Sequence, residues 1–181
     1  QTEDIGPKFL TASDIFEWRT REPKQRVNKD SYGSASAQKQ SGPVIYTSRM
    51  TKSIRAAAVE DARYLGGKVN VVTPFDPSKI WLIEALLNSK LITFWYREKY
   101  SMQHMQGGAL PINTTELAEL PLVLSGPISD ELSAKSQALH SASDDEFIAL
   151  RSAVEKLVFK LYGLSEEDVE TLEARFAEYN I

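Results

Sequence analysis

Cysteine is absent from the 181 residues, which excludes disulfide staples, thiolate nucleophiles and every cysteine-based zinc site. Histidine occurs twice, at His104 and His140, too few to hold a metal unless several carboxylates assist. Glycine and proline together fill only 17 positions, so a collagen repeat is excluded. With 42% hydrophobic and 25% charged residues, a disordered tail is excluded as well. The longest apolar run, Ile80 to Leu87, is interrupted by Glu84 and falls far short of the ~20 residues a membrane span requires. No membrane partner is therefore expected. Gly66-Gly67 and Gly107-Gly108 lack the offsets of a dinucleotide fingerprint or a P-loop, and no serine stands in a nucleophile elbow. Glu22-Pro-Lys24, with Asp14 upstream, has the Glu-x-Lys spacing of a nuclease metal site, but a proline suits the strand of such a site poorly. The chain carries no legible enzyme, metal or cofactor site of its own. It opens on Gln1 without a targeting signal and reads as a piece of a longer protein whose catalytic machinery lies elsewhere.

What is present is an uneven distribution of charge. The net charge of -4 conceals a balance of +5 over residues 1–100 and of -9 over residues 101–181. The basic excess peaks between Arg19 and Arg55, where nine lysines and arginines face only Glu22 and Asp30. Such a cluster makes a local positive field to which a polyanion is the natural partner.

Periodicity places the elements. Thr11-Ala-Ser-Asp14 suggests a capped turn, and residues 21–42, nearly devoid of apolar side chains, suggest a long loop. Strands are expected at Val44–Ser48, at Ile54–Val59 (helix being the alternative), and at Lys68–Thr73. Ser78 is a candidate N-cap for one apolar helix running from Ile80 through Ile83, Leu87, Leu91 and Phe94 to Trp95. The aromatics Trp81, Phe94, Trp95 and Tyr96 follow that spacing and are expected in the core. A polar loop follows from Tyr100 to Gly108, then a short strand at Ala109–Ile112 and one helical turn at Thr114–Leu120. After Gly126-Pro127 the chain becomes helical. Leu132–Leu139 and Phe147–Leu161 are expected helices, with Gly163 as a left-handed C-cap, and Ser165 caps a last helix carrying Val169, Leu172 and Phe176. The expected class is α+β: a small mixed sheet packed on a central apolar helix, with a helical C-terminal appendage. Residues 1–125 form the first unit and residues 126–181 the appendage.

Three ordered segments carry a family likeness. Leu86-Leu-Asn-Ser-Lys90 resembles the "LLNSKL" helix of target recognition domains in adenine-specific DNA methyltransferases, including the TaqI-like C-terminal specificity domain and type IIG restriction-modification enzymes. Glu116-Leu-Ala-Glu-Leu-Pro-Leu122 is similar to the Leu-Pro stop that follows the variable loop in that family. Leu157-Val-Phe-Lys-Leu-Tyr-Gly-Leu-Ser-Glu-Glu-Asp168 is similar to its "LVYELYGLTEEE" ending. The resemblance covers residues 44–173 and implies a cytoplasmic module that recognises double-stranded DNA sequence-specifically. It would position an adenine for a methyltransferase domain of the same parent, which supplies S-adenosylmethionine and the transfer chemistry. The fragment itself would hold no cofactor and catalyse nothing. The acidic C-terminal half is not expected to face phosphates and would instead pack against the catalytic domain.

Sequence readout needs side chains that reach base edges, such as Arg to guanine and Asn or Gln to adenine, whereas phosphates need cations placed less strictly. Arg49, Lys52 and Arg55, after a strand, are the expected DNA contacts. Arg19, Arg21, Lys24, Arg26 and Lys29 are expected on the phosphate flank, and Gln103, His104 and Gln106 as base readers. Asn88 and Ser89, short polar residues between apolar neighbours, are expected to bond to backbone and brace the core. Two other functions stand beside this one: a protein-protein docking module without DNA contact, and a nuclease using Asp14, Glu22 and Lys24.

Overall fold

The computed structural model describes residues 8–26, 42–61, 65–66, 69–101 and 108–179. The strands are β1 (Lys8–Leu10), β2 (Ile15–Phe16), β3 (Arg19–Thr20), β4 (Gln25–Arg26), β5 (Val44–Ser48), β6 (Met50–Thr51), β7 (Ala56–Val59), β8 (Leu65–Gly66), β9 (Val69–Val72) and β10 (Leu110–Pro111). The α-helices are α1 (Ile80–Leu87), α2 (Lys90–Lys99), α3 (Thr114–Ala118), α4 (Ser129–Leu139), α5 (Asp144–Leu161) and α6 (Glu166–Glu178). The class is α+β. The main sheet is antiparallel in the order β7-β5-β9, with Ile45 opposite both Ala58 and Val72. A smaller mixed sheet, β4-β1-β8, lies beside it, its β1–β8 pair parallel. Ile54–Val59 therefore resolves to a strand at Ala56–Val59 rather than a helix, because its alternate positions serve two cores. Ala56 and Ala58 join Ile45 against the helices, while Ala57 joins Val44, Tyr46, Leu10 and Ile15 on the opposite face.

The expected single central helix is two helices. Ser89 turns to extended backbone (φ -73°, ψ 149°), and its hydroxyl accepts from Ile92 N while donating to Leu86 O at 2.7 Å. An N-cap serine in mid-run outweighs the apolar continuity on either side of it. Ser78 is likewise not the cap of the first helix. It lies in the 3-10 turn Pro77–Lys79, where Asp76 accepts from Ser78 N at 3.0 Å.

The break serves the sheet. As the edge strand, β7 turns unpaired backbone groups toward the helices. Asn88 Oδ1 accepts from Ala56 N (2.8 Å), Asn88 Nδ2 donates to Ala56 O (2.9 Å), and Glu84 Oε1 accepts from Ala58 N (2.7 Å). Thr93 Oγ1 accepts from Ile54 N at 3.2 Å. The pairing works by pitch: four helical residues rise ~6 Å, close to the ~6.8 Å of two strand residues. Asn88 thus braces the core as expected.

Residues 126–181 contribute to the same core as the rest. Leu132, Leu139, Val154 and Val158 belong to one cluster with Trp18, Leu82, Leu86, Ile92 and Tyr96. Trp81 and Trp95 pack half-buried against it. Gly163 takes φ +68°, as its capping position requires, and Ser165 caps α6 with Asp168 returning the bond.

Glu155 on α5 is buried and accepts from the backbone N–H of Lys90, the first residue of α2, at 3.1 and 3.2 Å. Burial, opposed by that bond and by Lys90 and Arg151, pushes its carboxyl from 4.5 up to about 7. The folded protein therefore holds this proton more tightly than the unfolded chain does. Its contribution to stability is complete below pH 4.5 and is lost as pH rises through about 7. Glu155→Gln is expected to flatten that slope while keeping an acceptor for Lys90 N. Unfolding free energies from urea titrations between pH 4.5 and 8 should converge with the parent at the acid end and exceed it at pH 8, by up to about 3 kcal/mol.

Candidate nucleic-acid interface

β5 and β7 are joined by the segment 49–55, whose ends are tied by Ser48 N donating to Arg55 O at 3.3 Å. Three of the expected contact residues occupy this turn. Arg49 and Arg55 are exposed and Lys52 is half-buried. Met50 between them is 54% exposed, a large apolar side chain at a cationic tip.

The turn is anchored to the strand that follows a second expected contact region. β6 pairs with β10, Thr51 opposite Leu110 and Met50 opposite Pro111. Ile112 N donates to Arg49 O at 2.7 Å, and Asn70 Nδ2 donates to Ile112 O at 2.8 Å. Tyr96 OH donates to Pro111 O at 2.7 Å. Arg97 closes the joint: its Nη1 donates both to Lys52 O (2.8 Å) and to Gly108 O (3.0 Å), and its guanidinium lies 4.2 Å from the centre of the Tyr179 ring. Burial disfavours the charge on Arg97, with Tyr179 and Glu98 opposing. Gly108 sits at φ +76°, left-handed backbone that glycine adopts without strain. The residues immediately before it include Gln103, His104 and Gln106, which lie outside the described residues, as does Lys29. What is described is the stem on the far side of that segment, and it is pinned to the 49–55 turn.

The flank cations separate. Arg19 Nε and Nη2 donate to Leu139 O (3.4 and 3.3 Å), Nη2 donates to Ala142 O (2.6 Å), and the group stacks 4.6 Å over Phe147. It clamps the end of α4. Arg21 is exposed and lies 5.2 Å over the Phe16 ring, and Lys24 is exposed. Arg26 takes its place in β4, and its side chain lies outside the described residues. The hairpin that carries Arg19 is held by Trp18, which is fully buried at φ +58° and donates from Nε1 to Ser136 Oγ at 3.1 Å. A non-glycine residue in that region costs ~1–3 kcal/mol and persists only where packing over-determines it. Its neighbour Glu17 meets Arg151 at 3.0 Å. Burial raises the Glu17 carboxyl, while Arg151 and Arg55 draw it down.

Two of the three nuclease residues are engaged elsewhere. Asp14 Oδ2 accepts from Thr11 N (2.9 Å) and Thr11 Oγ1 (2.7 Å), and Glu22 pairs with Lys8. Among the described residues no three His, Asp or Glu side chains group to hold a metal, and no helix is long and apolar enough to cross a membrane.

Sequence reasoning missed Arg97, Asn70 and Tyr96 as braces of this joint. A signal existed for Arg97, which follows Ser89 and Thr93 at four-residue steps and so falls on the buried face of α2. Its two carbonyl acceptors had no signal at all. No family model matches this chain, and no curated protein matches it.

Proposed function

We propose that this chain is a sequence-specific double-stranded DNA recognition module, which positions an adenine for a methyltransferase domain elsewhere in its parent protein. One observation carries the proposal. The 49–55 turn and the residues that close and follow the expected Tyr100–Gly108 loop are far apart in sequence, yet Gly108 and Leu110–Pro111 are hydrogen-bonded to the turn through β6–β10 and Arg97. Exposed Arg49 and Arg55 supply forked donors suited to guanine edges or phosphates. Arg21, which lines a concavity together with Arg55, extends the positive surface. The likeness of residues 86–90, 116–122 and 157–168 to target recognition domains supports the same function.

The decisive experiment exchanges residues 44–112 in the parent enzyme for the corresponding segment of an enzyme with a different target. The methylated sequence is expected to follow the exchanged segment, read out by sequencing of modified adenines. A chimera that remains active on the original sequence overturns the proposal. For duplex binding, log affinity against log salt is expected to fall with a slope of about -4 to -5, as for about five neutralised phosphates.

A further inference from the structure

Beside the turn lies a concave surface that shares Arg55 with it. Two concavities, each of about 600 Å³, share Glu17 and Arg55 as a common wall. One is closed by Asn88 and Thr93 at its base and by Phe176 of α6. The other opens between Phe16, Arg21 and Phe147. Their walls present five cations, Arg19, Arg21, Arg55, Lys90 and Arg151, against two carboxylates, Glu17 and Glu173. The cations differ in what holds them. Arg19 is held by two carbonyls, Lys90 by Glu173 at 2.6 Å, and Arg151 by Glu17 at 3.0 Å. Arg21 is pre-oriented over Phe16, and Arg55 reaches Glu17 through its charge while remaining exposed.

Two adjoining net-positive concavities, with exposed Arg55 on the wall they share and exposed Arg21 lining one of them, suit an anion with several oxygens, because each planar fork can donate two parallel hydrogen bonds to it. The Glu17–Arg151 pair adds a third guanidinium, bonded to Glu17 and acting through its charge on Glu155 as well. We propose that this cleft binds a phosphate group, ligated by Arg21 and Arg55, with Arg151 joining when the anion takes the place of Glu17. Arg151 comes from the acidic C-terminal half, which sequence reasoning set aside as unable to face phosphates. Its charge lies in the cleft because α5 packs across the β2–β3 hairpin, bringing Arg151 to Glu17 and Phe147 to Trp18. The phosphate is either a backbone diester of a duplex or the phosphomonoester of a small ligand. The cleft stands whether or not the chain reads DNA.

The test is a titration of the 181-residue chain with inorganic phosphate at constant ionic strength, following arginine Nε–Hε resonances by NMR. Arg21, Arg55 and Arg151 are expected to shift together along one saturable curve. Arg21→Ala with Arg55→Ala should weaken binding at least tenfold. Arg21→Lys with Arg55→Lys, which keeps the charge and loses the forks, should weaken it less. Glu17→Gln should tighten it several-fold by removing the competing carboxylate. Shifts identical to those given by chloride overturn the proposal, as does a double-alanine variant that keeps the parent melting temperature and saturates like the parent. Competition identifies the source. Displacement of phosphate by a blunt duplex supports a backbone contact, displacement by a mononucleotide alone supports a small phosphorylated ligand, and displacement by neither overturns the proposal. Saturable phosphate binding by the chain, together with an exchange of residues 44–112 that leaves the parent's methylated sequence unchanged, removes the DNA function and leaves the cleft.

Discussion

Glu84→Ala is expected to destabilise the protein by about 3–5 kcal/mol, the largest single loss foreseen for a side chain outside the apolar core. Glu84 is fully buried on α1 and serves three elements at once. It accepts from Ala58 N on the sheet edge (2.7 Å), from Ser136 Oγ on α4 (2.8 Å) and from His140 Nε2 after α4 (2.8 Å). Truncation removes the accepting carboxylate and strands donors on three segments, of which Ala58 N and Ser136 Oγ are buried. The loss also reaches Trp18, because Ser136 Oγ is the partner of its indole N–H. Glu84→Gln keeps the shape and one acceptor and should cost less than the alanine. Urea denaturation monitored by tryptophan fluorescence is the check. A loss below about 1 kcal/mol for the alanine variant would mean that the bond network is a minor part of what couples sheet to helices.

The combined change Arg49→Ala, Lys52→Ala and Arg55→Ala is expected to reduce duplex affinity by two to three orders of magnitude at moderate salt, and to make the salt slope shallower by about 2.7 if all three meet phosphates. A smaller change in slope, accompanied by relaxed preference among related sequences, would instead assign one or two of them to base edges. Folding should survive, since Arg49 and Arg55 are exposed and the hydrogen bonds of this turn use backbone atoms of all three residues. Fluorescence anisotropy with a labelled duplex at several salt concentrations measures both quantities. Unchanged affinity in a folded triple variant refutes the assignment of this turn to DNA.

Much of the architecture was legible from local chemistry. Val44–Ser48 reads as a strand because its residues are β-branched or aromatic, and β5 occupies that range. The C-terminal helices follow from apolar steps of three and four, from the cap Ser165, and from Gly163. The central helix was misread at its middle, since apolar periodicity runs straight through Asn88-Ser89 and gives no sign of a serine cap there. Asn88 was legible as a backbone-bonding residue, though its acceptor and donor on Ala56 were not, because that strand lies 32 residues away.

The sequence by itself determined the α+β class, the positions of most elements, and the segregation of positive charge into residues 19–55, because propensity, capping and periodicity act within a few neighbours. Only the tertiary structure decided which distant groups meet: Arg97 at the joint of the 49–55 turn and the Gly108 stem, Glu84 and Asn88 at the sheet edge, and Arg151 beside Arg55 across a shared carboxylate. Hydrogen bonds and charge pairs depend on separations of a few ångströms in space, and a linear order of residues does not state those separations.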